Sequence, residues 1–211
     1  MGPHRKEAAL HPPLIFLPGA GASPDFWRPL AERLPGDWPR RHLGWPGLGD
    51  QPAAADVNSL DDLVRLVEAA MGDGPADLLA QSMGGVVALK VALRNPGKVR
   101  RLVLSVTSGG VDAAARAAAL HDWRAGYQQN YPNAAAWIRE DRTDLTDQIP
   151  AIGCPALLLY GDADPIAPPF VGERLAGLLP EARLHIVAGG DHDLVVSRAD
   201  EVAPLIQAHL A

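Results

Sequence analysis

Leu78-Leu79-Ala80-Gln81-Ser82-Met83-Gly84-Gly85 is the stretch whose reading decides the fold. An apolar run leads directly into a serine flanked by small residues, and a helical pattern then continues to Asn95-Pro96-Gly97. A strand that turns sharply into a helix lifts the side chain at the turn clear of the backbone. The positions two residues to either side must then be small, so that strand and helix can approach. The helix behind the turn directs its first N–H groups toward negative charge that develops near Ser82. The usual pattern is G-x-S-x-G; here Ala80 stands at the first glycine, giving A-x-S-x-G. The plainer alternative is an ordinary strand-to-helix connection in which Ser82 only caps the helix.

Working outward, short apolar runs alternate with helical patterns along the whole chain. Leu14-Ile15-Phe16-Leu17 lies between Pro13 and Pro18-Gly19 and reads as a buried strand. Ser23-Pro24 supplies an N-cap and a proline at the first helical position, predicting a helix over 24–34. Arg41-His42-Leu43 is a weaker strand, and Ser59-Leu60-Asp61-Asp62 opens another helix with an acid at its third position. Further strands are predicted at Ala76 to Ala80, Leu102 to Val106, Ala156 to Tyr160 and Leu184 to Val187, with helices over 168–179 and 199–210. Continuous apolar strands alternating with helices predict an α/β fold: a mainly parallel sheet of about six strands flanked by helices. Right-handed crossovers put the loops after each strand on one edge, where ligands bind in open α/β sheets.

Residues 111–148 break the alternation. They are Ala-rich and helical in pattern, carry no strand signal, and contain Trp123, Tyr127, Tyr131 and Trp137. We read them as a small helical cap inserted in a single domain spanning 1–211. The four aromatics either line a substrate pocket or pack the cap onto the core.

Composition narrows the function classes. The chain has 211 residues and is 47% apolar, which suits one domain with a sizeable core and excludes a disordered chain. Nineteen basic against 25 acidic residues give a net charge of −6, and no basic run stands out, so nucleic acid is not expected as a partner. No window approaches a membrane span, and the basic N-terminus has no apolar segment behind it, so neither membrane insertion nor a signal peptide is expected. Cys154 is the single cysteine, which rules out an internal disulfide and a two-cysteine metal site and suits a cytoplasmic setting. No metal or organic cofactor is implied, and the oligomeric state is left open.

A serine hydroxyl is a poor nucleophile at neutral pH and needs a base. His192 lies in Gly189-Gly190-Asp191-His192-Asp193, directly after the last predicted strand and therefore on the ligand edge. His185 falls within a strand, His121 in the cap, His209 in the final helix, and His4 and His11 in the N-terminal tail. His42, before the loop Gly44-Trp45-Pro46-Gly47-Leu48-Gly49-Asp50, is read as structural. The imidazole in turn needs a carboxylate to hold its tautomer. Asp164 is chosen from Tyr160-Gly161-Asp162-Ala163-Asp164-Pro165, because its loop is long enough to reach a neighbouring histidine; Asp162 is the near competitor. Asp112 reads better as an N-cap. An oxyanion would be held by the Met83 N–H and by an N–H of the loop Pro18-Gly19-Ala20-Gly21-Ala22-Ser23, for which Ala20 is chosen. The same loop is a poor dinucleotide fingerprint, since Pro24 stands where its third glycine belongs.

The order Ser82, Asp164, His192 and the four segments Leu17-Pro18-Gly19-Ala20-Gly21, Ala80-Gln81-Ser82-Met83-Gly84-Gly85, Gly161-Asp162-Ala163-Asp164-Pro165 and Gly190-Asp191-His192 resemble the α/β-hydrolase superfamily. Within it the chain is similar to small, cap-bearing, esterase-like serine hydrolases. Family members commonly carry His-Gly where this chain has Pro18-Gly19. The resemblance implies a serine hydrolase cleaving an ester or thioester of a small to medium acyl group through an acyl-enzyme. Carbon–carbon bond hydrolase, lyase or acyl transferase chemistry on the same scaffold is the alternative, and a non-catalytic ligand-binding module is the reading from another class.

Overall fold

A computed structural model describes residues 11–21 and 23–211; His4 lies outside them. Six strands, β1 (Leu14–Leu17), β2 (Arg40–His42), β3 (Ala76–Gln81), β4 (Val99–Ser105), β5 (Ala156–Gly161) and β6 (Ala182–Val187), form one sheet in the order β2-β1-β3-β4-β5-β6. Every pairing is parallel. β1, β3 and β5 are buried along their whole length, as strands covered on both faces must be, whereas the edge strands β2 and β6 are partly open.

The helices are α1 (Arg28–Ala31), α2 (Leu60–Met71), α3 (Met83–Arg94), α4 (Ala113–Leu120), α5 (Trp123–Asn130), α6 (Trp137–Glu140), α7 (Pro169–Leu178), α8 (Leu194–Ser197) and α9 (Ala199–Leu210). The chain steps from β1 outward to β2, then crosses back past β1 to β3. With right-handed crossovers, that reversal sends α1 and α2 to opposite faces. α2 packs on α3, and α1 packs with α8 and α9. The loops leaving β1 and β3 diverge at the reversal and open a crevice between them, the place where a parallel sheet binds its ligand.

Element boundaries differ from the sequence reading where prolines or charges intervene. The helix expected over 24–34 is instead a 3-10 turn, Pro24–Trp27, followed by a single α turn. Pro29 has no N–H to give, and Arg33 and Leu34 close three-residue bonds to Leu30 and Ala31 ahead of Pro35. β4 begins three residues before Leu102, because Arg100 and Arg101 are strand residues despite their charge. The stretch 111–148 carries α4, α5 and α6 and no strand. Its roots are clasped where Leu145 N–H donates to Gly110 O at 2.6 Å and Asp112 N–H donates to Thr146 Oγ1 at 2.9 Å. Among the described residues no helix is long and apolar enough to cross a membrane.

Candidate active site

Ser82 occupies the turn between β3 and α3 with φ 52° and ψ −123°. That left-handed conformation is strained for any residue but glycine, at a cost of about 1–3 kcal/mol, and persists only where the surroundings enforce it. Here they do. Ser82 N–H donates to Ser105 O at 3.0 Å, and Thr107 Oγ1 donates to Ser82 O at 2.6 Å. Thr107 is itself held, accepting from Gly109 N–H at 3.0 Å, while buried Tyr160 donates its hydroxyl to Thr107 O at 2.5 Å. The next strand repeats the device, since Val106 also has a positive φ, 43°.

The small residues around Ser82 are required by contact. A Cβ on Gly84 would lie 2.5 Å from Pro18 O and 2.7 Å from Leu17 O, both backbone atoms. A Cβ on Gly85 would meet the Thr107 side chain at 2.4 Å. Gly84→Ala is therefore expected to destabilise the fold by about 1–3 kcal/mol, as overpacking does, and a chemical denaturation series measures it. Ala80 is fully buried, so its methyl group fits where the usual pattern has glycine.

The loops after β5 and β6 are laced together. A Cβ on Gly161 would be 2.1 Å from Gly190 O, and Ala163 N–H donates to that same carbonyl at 3.0 Å. Asp162 accepts from Gly189 N–H at 2.6 Å, so this carboxylate ties the loops and stays exposed. Asp164 is buried; Oδ1 accepts from Ile166 N–H at 2.8 Å, and Oδ2 lies 2.8 Å from His192 Nδ1. An ionised carboxylate only accepts, so Nδ1 carries the proton. Nε2 is then an acceptor, and it lies 3.0 Å from Ser82 Oγ. Ser82, His192 and Asp164 thus form one hydrogen-bonded chain across three loops.

Gln81, which the sequence reading passed over, joins this group. Its side chain is buried, donates Nε2–H to His192 O at 3.0 Å, and lies against Gly19. A polar residue at the end of a buried strand, directly before Ser82, was the available signal. Asp193 follows His192 on the wall of the cavity above Ser82. Partial burial pushes its carboxyl above the ordinary range, and the neighbouring His192 opposes that rise.

That cavity is about 1000 Å³ in volume. Ser82, Met83, Gln81, Ala20 and His192 lie at its sheet side, and Ala114, Ala117, Ala118, Trp123, Tyr127 and Tyr131 form its helical side. Trp123, Tyr127 and Tyr131 recur every fourth residue, so one face of α5 and its end carries all three, with ring centroids 5.8 and 5.1 Å apart. Trp137 differs. It packs partly buried against the core and is not on the cavity wall, whereas the next residue, Ile138, is. The Ala20 N–H, in the loop after β1, and the Met83 N–H, at the start of α3, donate to no backbone acceptor in the loops and turns among the described residues. His42 stacks on Phe16 at 4.5 Å, where burial lowers its pKa, and Asp112 caps α4 while pairing with Arg174 at 2.9 Å. Cys154 is part-buried, with its thiol pushed up to about 11 by desolvation.

This chain matches the alpha/beta hydrolase family over residues 14–205. It is 30% identical to the pimeloyl-[acyl-carrier protein] methyl ester esterase of Neisseria meningitidis serogroup C, over 91% of each chain. Among solved structures it resembles a thermophilic esterase from Thermogutta terrifontis, with a TM-score of 0.72 at 22% identity, covering 93% of this chain and 88% of that one. It also resembles MenH from S. aureus, with a TM-score of 0.77 at 18% identity, covering 97% and 95%. By the extent of the family match and the identity to that relative, the chain belongs to the alpha/beta hydrolase family and is an esterase-like hydrolase.

Proposed function

We propose that the protein hydrolyses an ester or thioester of a small to medium acyl group, with Ser82 as nucleophile, His192 as general base and acid, and Asp164 orienting His192. The observation that carries this reading is the continuous relay, 2.8 Å from Asp164 to His192 and 3.0 Å from His192 to Ser82, opening on an apolar-walled cavity. Ser82 Oγ attacks the carbonyl carbon as its proton passes to His192 Nε2. The resulting oxyanion is held by the Ala20 and Met83 N–H groups, where one such donor is worth roughly 3–4 kcal/mol in the transition state. His192 returns the proton to the departing alcohol or thiol, leaving an acyl-enzyme. Water, activated by the same imidazole, releases the acid and restores Ser82.

The helices of 111–148 act as a cap over the acyl group, with Trp123 and Tyr131 as apolar wall. The cavity is at the upper end of ordinary ligand pockets of roughly 300–1,000 Å³, which suits an acyl chain of medium length. The relative's methyl ester activity favours a small leaving alcohol. A fluorophosphonate probe tests the assignment. Stoichiometric labelling on Ser82 is the expected result. Absence of labelling at any pH points instead to a ligand-binding module.

A further inference from the structure

Three aromatic donors hold the end of β1 and its loop. Trp27 Nε1–H donates to Leu17 O at 3.1 Å, Trp45 Nε1–H to Pro18 O at 2.7 Å, and the Tyr127 hydroxyl to Ala20 O at 3.1 Å. All three side chains are buried. The Tyr127 hydroxyl also accepts from Gly49 N–H at 3.0 Å, so the loops after β1 and β2 and helix α5 meet at one oxygen. The spacing of these bonds matters. The Ala20 N–H belongs to the peptide between Gly19 and Ala20. Pro18 O lies in the peptide before it and Ala20 O in the peptide after it. The two flanking peptides are therefore pinned, while the N–H between them donates to no backbone acceptor in the loops and turns among the described residues.

We propose that Trp45 and Tyr127 bracket the Gly19–Ala20 peptide, so that Tyr127 is a positioning residue through which the 111–148 helices aim the Ala20 N–H at the oxyanion. This rests on the reading of Ser82 as nucleophile and Ala20 as oxyanion donor. An oxyanion donor works because it is aimed before the charge appears and costs no reorganisation when it does. A peptide plane free to rock loses that advantage, and small misplacements carry large rate penalties. A side chain supplied by the helical segment gives that segment a part in the chemistry that a mere wall would not have. The loop carries Pro18 in place of the histidine common in the family, and a proline has no side-chain donor to brace its own turn.

The test is Tyr127→Phe, which keeps the ring and removes the hydroxyl, assayed on p-nitrophenyl butyrate with active sites titrated by a fluorophosphonate. We expect kcat to fall about tenfold with KM within about twofold. Affinity for a trifluoromethyl ketone, which forms an oxyanion on Ser82, should fall by the same factor as kcat/KM, and affinity for the matching amide, which forms none, should hold. Trp45→Phe should follow the same pattern. Trp27→Phe loses a comparable buried bond two peptides upstream; it should lower the unfolding midpoint and leave kcat unchanged. A loss confined to KM, an unchanged kcat in Tyr127→Phe, or an equal kcat loss in Trp27→Phe overturns the proposal. Failure of the underlying reading is distinguishable, since wild-type enzyme would then take up no fluorophosphonate on Ser82.

Discussion

Ser82→Ala is expected to lower kcat for a p-nitrophenyl ester by roughly a million-fold while leaving the unfolding midpoint where it was. The size follows from the interdependence of the relay. On the proposed mechanism, removing the hydroxyl leaves His192 with no proton to take and Asp164 orienting a base with nothing to activate. His192→Ala should therefore cost about as much, and the double variant little more, because residues that act as a unit are not additive. A residual rate about 10³–10⁴ above water should survive, supplied by binding and the oxyanion donors alone. The stability half of the result follows from the backbone. Alanine at φ 52° is as strained as serine, and both backbone bonds of residue 82, to Ser105 and Thr107, remain. Turnover that persists in Ser82→Ala at more than a hundredth of wild type would remove Ser82 from the mechanism.

How much of this was legible in the sequence depended on the range of the interaction. Ser82 and His192 could be read because each follows a predicted strand, and strand ends in a parallel sheet share an edge. Asp164 over Asp162 was a matter of loop reach; in the fold Asp162 accepts from Gly189 N–H, and Asp164 lies against the imidazole. The central strands stand out because buried parallel strands are largely apolar, as β1 and β5 are. Their boundaries were missed where Arg100, Arg101 and Arg183 extend strands with charged residues. The hydrogen-bond partners of Gln81 and Tyr127 were not visible, since each lies about a hundred residues away. The sequence leaves Tyr127 either lining a pocket or packing the cap onto the core; only the fold says which carbonyl its hydroxyl finds.

The largest stability effect is expected at the opposite end of the sheet. Asp77, fully buried on β3, receives two hydrogen bonds from Arg100 on the adjacent β4, one of them 2.9 Å from Nε to Oδ1. Arg100 also donates to Leu210 O, and the His11 ring nitrogen lies 3.1 Å from that carbonyl, so the pair ties the last turn of α9 and residue 11 to the sheet. Burial nevertheless pushes the Asp77 carboxyl above its ordinary value, with Arg100 acting in the opposite direction. Arg100→Ala leaves that carboxylate buried without its hydrogen-bonded cation, which costs about 3–5 kcal/mol in comparable cases. The dependence on pH has a definite sign. A carboxyl whose folded pKa is raised binds its proton more tightly in the native state than in the unfolded chain, so stability is gained as pH falls through the folded value toward the unfolded one and lost as pH rises through it. Removing Arg100 widens that window upward. The penalty should be greatest near neutral pH and shrink on acidification, as Asp77 becomes neutral and its burial less costly. Urea denaturation of wild type and Arg100→Ala between neutral pH and the onset of acid unfolding measures this, with Asp77→Leu, Arg100→Met as the companion. That double variant replaces the pair by apolar side chains and should recover most of the loss. A penalty in Arg100→Ala that stays constant across the series would mean that the arginine acts through its bond to Leu210 O alone and that the Asp77 charge contributes nothing.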